Sequence, residues 1–144
     1  MLKGIDPILN ADILYILRAM GHGDELAIVD VNFPAETMAR ELVRMEAADA
    51  PRMLRAVLSL LPLDDFVPDP AIRMEVVGDP EAEPEVCREF REILARPEYG
   101  GVPLAKIERF AFYERVRGCF AVIATGERRL YGNVILKKGV IRPD

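Results

Sequence analysis

The chain alternates between helix-spaced and strand-like apolar blocks. Asn10 precedes Ile13, Leu14, Ile16, Leu17 and Met20, which recur at helical spacing behind a residue able to cap the first turn. Gly21 is expected to end that helix as a left-handed cap. Leu26 to Val31 is apolar apart from Asp30 and rich in branched residues, which predicts a strand covered on both faces and stopped by Pro34. Leu42 to Met45 predicts a short strand. Asp49 or Ala50 then caps a helix with Pro51 in its first turn, buried along Leu54, Val57, Leu58 and Leu61 and closed by Pro62. Ile72, Met74 and Val76 alternate with Arg73, Glu75 and Val77, the pattern of a strand with one wetter face. Pro84 opens a third helix facing inward through Val86, Phe90, Ile93 and Leu94, and Pro97, Gly100 and Gly101 break the chain into a loop. Ala105 to Glu108 predicts a strand, Phe112 to Val116 a short helix with Gly118 near its end, and Cys119 to Ala124 and Tyr131 to Leu136 two further strands. This order predicts an α/β domain, its helices packed on a mainly parallel or mixed central sheet.

Composition narrows the class. The 144 residues are 51% hydrophobic and carry a net charge of only -5, so the chain can bury enough surface to offset its ordering entropy as one domain. A sequence pI near 5.0 argues against a nucleic-acid footprint. No apolar stretch reaches the roughly 18 residues of a membrane span. The first dozen residues have no apolar core and carry Asp6, Pro7 and Asp12, so no secretory leader is expected. Cys87 and Cys119 form no CxxC pair, which favours a reducing compartment and leaves a zinc site unsupported. A cytoplasmic protein is the resulting expectation.

Chemistry concentrates in a few places. His22 is the single histidine, set in Gly21-His22-Gly23-Asp24-Glu25. Its imidazole is the side chain that exchanges a proton near neutrality, and flanking glycines let a ligand approach; a surface histidine in a capped turn is the plainer alternative. Asp24 or Glu25 could orient it. Asp30 sits at the C-terminal end of its strand, where open α/β sheets place ligand crevices, or else it caps the turn through Asn32 to Ala35. The eight-residue step from His22 to Asp30 spans up to ~26 Å, so the two should lie near opposite ends of the strand. If both serve one sugar-sized site, the simplest hypothesis is that neighbouring subunits supply them across a symmetric interface. Lys106 to Arg115 interleaves aromatics with both signs of charge, as a sugar pocket or an amphipathic helix would. Tyr131-Gly132-Asn133 offers a phenol and an amide that can read hydroxyls. No GxGxxG, Walker A or GxSxG sequence is present, and one histidine with scattered carboxylates gives no transition-metal set.

In order along the chain, Met1 to Ile5, Met20 to Glu25, Asp30 to Ala35, Ala105 to Phe110 with Phe112 to Arg115, Thr125 to Glu127 and Tyr131 to Val140 resemble the D-ribose pyranase / L-fucose mutarotase family, specifically its fucose branch. The resemblance implies a ribose pyranase-like α/β fold, a single mutarotase domain over residues 1–144, no cofactor or metal, and closed ring-like homo-oligomers, commonly decamers. It places the proton donor on His22 and substrate contacts on Asp30, Arg109, Tyr131, Gly132 and Asn133. The implied reaction is interconversion of the α and β anomers of L-fucose or a related pyranose, with a monosaccharide as sole partner. A D-ribose pyranase, a non-catalytic sugar-binding or transport-associated module, and an oligomeric scaffold stand as alternatives.

Overall fold

The computed structural model describes residues 1–144. In chain order they form helix α1 (Ala11–Ala19), strand β1 (Glu25–Val29), helix α2 (Ala35–Met38), strand β2 (Leu42–Met45), helix α3 (Ala50–Leu58), strand β3 (Ala71–Met74), helix α4 (Glu85–Leu94), strand β4 (Ala105–Ile107), helix α5 (Arg109–Arg117), strand β5 (Ala121–Thr125) and strand β6 (Val134–Lys137). A single 3₁₀ turn, Pro97–Tyr99, follows α4. Three helices begin on side-chain caps. Asn10 accepts from the Ile13 N–H at 2.9 Å and Asp49 from that of Arg52 at 2.8 Å, while Glu108 accepts from Phe110 and Ala111.

The strands make one six-stranded sheet in the order β2–β5–β1–β6–β3–β4. β2, β5 and β1 pair in parallel, as do β3 and β4; β6 runs antiparallel between β1 and β3. The sheet is therefore mixed but mainly parallel, as expected. Residue alternation sends the central strands to two cores. Leu26, Ile28, Ile123, Val134 and Leu136 pack with α1, α3 and α4 through Ile13, Ile16, Leu54, Val57, Phe90 and Leu94. Ala27, Val29, Val122, Ala124 and Ile135 pack with α5 through Phe112 and Val116, and with Phe33. The result is three layers, with the sheet in the middle.

Several local expectations shift. Met20, not Gly21, ends α1, and the left-handed glycine of the turn is Gly23, at φ +86°. β1 stops at Val29, so Asp30 lies just past it and Val31 is exposed. β3 has no wetter face: Arg73 is buried, its guanidinium donating to the carbonyls of Met74 and Ala82. The last strand begins at Val134, which leaves Tyr131 to Asn133 as the segment that leads into it. The helix after β4 starts earlier than its apolar pattern suggests, at Arg109.

The two-core arrangement predicts unequal costs on α4. Phe90→Ala, which empties a fully buried site, is expected to lower the unfolding free energy by about 3–5 kcal/mol in urea titrations. Glu92→Ala, on the exposed face of the same helix, should change it by under about 0.5 kcal/mol. A Phe90→Ala cost as small as that of Glu92→Ala would contradict the packing of α4 on the sheet.

Candidate active site

Because β6 is reversed, its leading residues arrive at the same sheet edge as the C-terminal ends of β1, β3 and β4. A cleft of about 180 Å³ opens there, lined by Asp30 and Phe33 after β1, Met74 and Val77 from β3 and beyond, Arg109 and Tyr113 on α5, and Leu130, Tyr131 and Asn133 before β6. That is small beside the roughly 300–1,000 Å³ of drug-sized ligand sites.

Backbone and side chains weave the polar wall. The Asp30 N–H donates to Asn133 Oδ1 at 2.9 Å, which fixes the amide's orientation, with its NH₂ as the remaining donor on this wall of the cleft. One oxygen of the Asp30 carboxylate accepts from the Asn32 N–H at 3.0 Å and the other from the Gly132 N–H at 3.2 Å. Asp30 is only 4% exposed. Burial raises its pKa above the ordinary carboxylate value, and the N–H groups of Asn32 and Gly132 only partly oppose this. Tyr131 is the one non-glycine residue with positive φ, +65°. A strained backbone of this kind persists where its surroundings hold it. Here the Tyr131 hydroxyl accepts from the Val77 N–H at 3.1 Å, and the Tyr131 carbonyl accepts from the Cys87 thiol. The phenol retains its own proton to donate.

Gly132 serves as backbone alone. A Cβ there would stand 2.6 Å from Glu127 Cγ, so a side chain would push the loop off its neighbours. Arg109 caps the other side of the cleft. Its guanidinium lies 4.5 Å from the centroid of the Phe110 ring, and its buried Nε–H has no partner in the chain. Together these groups supply one carboxylate acceptor, donors from Asn133, Tyr131 and Arg109, and apolar walls from Phe33, Met74, Tyr113 and Leu130. That set suits a small neutral ligand with several hydroxyls and a hydrophobic face.

His22 lies elsewhere. It precedes β1, at the opposite edge of the sheet, and five strand residues at about 3.3 Å each put that edge ~16 Å from Asp30. Its partner is neither Asp24 nor Glu25. Asp24 Oδ2 accepts from the Gly21 N–H at 2.7 Å and so closes the turn, while Glu25 pairs with Arg115. Instead, Asp64 Oδ1 meets His22 Nε2 at 2.9 Å, and the Phe66 ring sits 5.0 Å from the imidazole. The bond to His22 holds the Asp64 carboxyl below its ordinary range. A proton on Nε2 satisfies this bond and leaves Nδ1 open. The turn is tied down by reciprocal bonds from Gly23 N to Lys138 O and from Lys138 N to Asp24 O, and Asp64 N reaches Lys137 O.

Of the six residues singled out in the sequence, Asp30, Arg109, Tyr131 and Asn133 line the cleft, Gly132 underlies it, and His22 is separated from it. The apolar wall from Met74, Val77 and Leu130 was not foreseen, since no local pattern distinguishes these residues from core or surface. Asp64 was missed for the same reason: only the tertiary fold brings it to His22.

Comparison with known proteins places the chain. The RbsD / FucU transport protein family model matches residues 3–141. A fucose mutarotase of Homo sapiens is 48% identical over 97% of this chain and 94% of its own length. One from Bos taurus is 44% identical over 99% of this chain and 96% of its own. The crystal structure of the fucose mutarotase in complex with L-fucose from Streptococcus pneumoniae superposes with a TM-score of 0.89 at 35% identity, covering 98% of this chain and all of that one. The chain belongs to the RbsD / FucU transport protein family.

Proposed function

We propose that this protein is a fucose mutarotase, an isomerase that interconverts the α and β anomers of L-fucose by opening and closing the pyranose ring. The observation that carries the reading is the cleft itself: a buried carboxylate, the polar side chains of Asn133, Tyr131 and Arg109 and an apolar wall line a volume of monosaccharide scale. The relatives named fucose mutarotase share its fold and length. Residues 1–144 act as one mutarotase domain.

The reaction moves two protons. The anomeric hydroxyl loses one as the C1–O5 bond breaks, and the ring oxygen gains one; closure on either face of the aldehyde reverses this. In our reading Asp30 accepts from the anomeric hydroxyl, a task suited to a carboxylate whose proton affinity burial raises. Asn133 and Tyr131 donate to neighbouring hydroxyls, Gly132 holds Asp30 in place, and the free Nε–H of Arg109 faces the developing oxyanion. His22, carrying a proton on each ring nitrogen before ring opening, gives its Nδ1 proton to the ring oxygen and takes it back on closure, while its Nε2–H stays on Asp64, which orients the ring. Sugar and protein suffice for this chemistry, so we propose no cofactor.

His22 and Asp30 stand at opposite sheet edges, so a site using both draws them from two subunits. Both edges carry exposed apolar side chains: Val31, Val77, Phe110 and Leu130 around the cleft, Phe66 beside His22, and Leu2, Leu60 and Ile141 farther along that side. A head-to-tail contact that covers one with the other propagates, and it closes into a ring when the rotation allows. We propose such a ring-shaped homo-oligomer, decameric as the family resemblance implies, in the cytoplasm. The two cysteines suit a reducing compartment: both are buried free thiols, with burial pushing Cys87 up to about 11 and Cys119 up to about 12.

Saturation transfer between the anomeric protons of L-fucose tests the activity directly, with D-ribose in parallel. Enzyme-dependent exchange on fucose is expected, and His22→Gln should reduce it by about 10²–10⁴-fold. A His22→Gln enzyme at full rate would remove His22 from the mechanism. No exchange in the wild type, with fucose still bound, would leave a binding module.

Mixing tests the shared site. Co-refolded His22→Gln and Asp30→Asn chains, each inactive alone, should recover roughly a quarter of the wild-type rate, because random assembly pairs intact His22 with intact Asp30 at that frequency. No recovery in verified mixed oligomers would refute a site built across subunits.

Acid should weaken binding before it unfolds the protein. The raised pKa of Asp30 means its carboxylate is lost at a higher pH than an exposed aspartate, so KM for fucose rises as the pH falls toward that value. The stability effect has the opposite sign, since a raised folded-state pKa favours the fold at low pH and this contribution is lost as pH rises through it. Asp64, held below its ordinary value, contributes stability above the unfolded pKa that is lost as pH falls through its folded pKa. Parallel KM and Tm profiles check this, and a KM that stays flat until Tm falls would exclude Asp30 as the titrating ligand.

A further inference from the structure

Glu127, just beyond β5, is a carboxylate only 3% exposed that touches no part of the cleft's open surface, yet several cleft-forming segments meet on it. Its Oε2 accepts from the N–H of Ala50, the first residue of α3, at 3.4 Å. Its Oε1 accepts from the Arg129 N–H at 2.9 Å, and the Arg129 guanidinium grips both oxygens at 3.0 Å. Arg129 continues to Glu89 on α4, at 2.7 Å. The Glu127 carbonyl accepts from the Val31 N–H at 2.9 Å, directly after Asp30. Its own N–H donates to Thr125 Oγ1, which in turn donates to the carbonyl of Val29, directly before Asp30. Finally, its side-chain stem fills the space against Gly132, where a Cβ would lie 2.6 Å from Glu127 Cγ and 3.5 Å from Asp30 Cβ.

A buried ion pair is a poor way to gain stability, because an apolar replacement of the same shape often folds as well or better. What it supplies is a fixed position. We infer that Glu127 is a positioning residue for the fucose cleft: anchored on α3 and Arg129, it sets the spacing between the Asp30 segment and the Tyr131–Gly132 backbone. The residue acts through others and does not touch the sugar. Tyr131 depends on it most, since its left-handed backbone is held by the segment's surroundings and is followed at once by the glycine that rests on Glu127. The inference rests on the reading of the cleft as a fucose site.

The test is a cycle of Glu127→Gln and Tyr131→Phe, separately and together, measured by anomer exchange on L-fucose and by amide hydrogen exchange on the intact protein. Glu127→Gln keeps the side-chain shape but sets an amide against donors. It should raise KM about tenfold with a smaller change in kcat, and Tyr131→Phe should cost several-fold less in its presence than in the wild type, because the phenol is already displaced. Exchange of the Gly132 amide, which donates to Asp30, should quicken about tenfold while the central amides of Ile28 and Ile123 stay protected. If Glu127→Gln does not fold, Arg129→Met, at the half-exposed end of the pair, carries the same cycle with effects of about threefold. Unchanged KM, multiplicative effects and unchanged Gly132 exchange in the folded variant would overturn the inference. Wild-type protein that exchanges no fucose anomers would instead overturn the functional reading, and Gly132 exchange would still decide whether Glu127 holds the loop.

Discussion

The reversal of β6 is the constraint on which the cleft depends. Five strands of the sheet run one way, and parallel pairing alone would bring only their C-terminal ends to this edge. β6 enters between β1 and β3 in the opposite sense, with Ile28 opposite Val134 and Arg73 opposite the same residue on the other side. Its approach segment therefore arrives beside Asp30 with Tyr131, Gly132 and Asn133 already in place. Register matters as much as direction. A slip by one residue would turn Val134 and Leu136 from the α1–α3–α4 core toward the α5 core and move Asn133 away from the Asp30 N–H. Core packing thereby sets the geometry of the polar wall.

The same rigid sheet explains the separation of His22 from the cleft. β1 is buried on both faces and flanked by β5 and β6, so no local bend within a subunit can bring its two ends together. Each end is built as a finished half. One has the polar wall of the cleft and no histidine. The other holds an imidazole against Asp64 and Phe66, on a turn stitched to Lys138. On the proposed reading, symmetry brings the halves together, and catalysis belongs to the assembly rather than the chain.

Much of the architecture was legible because it rests on local physics. Asn10 and Asp49 announce helix starts through side-chain caps, and the branched runs of β1 and β5 read correctly as strands covered on both faces. Reading failed where tertiary partners decide. Arg73 looks like part of a strand's wetter face, but its guanidinium finds two carbonyls and can be buried. Tyr131 belongs to a residue type that favours extended structure, and only the contacts around it hold φ at +65°. Asp30 could be expected at a cleft because strand ends predict ligand crevices, and the length of β1 already implied that His22 would not join it; Arg109, Tyr131 and Asn133, which line the same cleft, were marked as site residues by the family resemblance. Asp64 had no comparable signal. It is one of two adjacent aspartates after a proline, and nothing in their spacing says which will face the histidine.

The two buried carboxylates on either side of Gly132 show how the fold divides structural from chemical work. Burial pushes both upward. For Glu127, the Arg129 guanidinium and the N–H groups of Arg129 and Ala50 more than reverse that push, leaving a carboxyl below its ordinary range. Asp30 receives backbone N–H groups and the Asn133 side chain but no cation, so burial prevails and its proton affinity rises. An Arg beside Asp30 would have stabilised the fold's ionised state, but it would also have occupied the lone pairs a sugar hydroxyl needs and weakened the carboxylate as an acceptor. Arg109, on the cleft wall, leaves its buried Nε–H without a partner in the chain. Environments that drive neighbouring carboxyls apart are how one fold assigns them different roles. Here the split follows from where a single guanidinium is placed: Arg129 makes Glu127 a fixed anchor, and its absence from Asp30 leaves that carboxylate able to respond to a ligand.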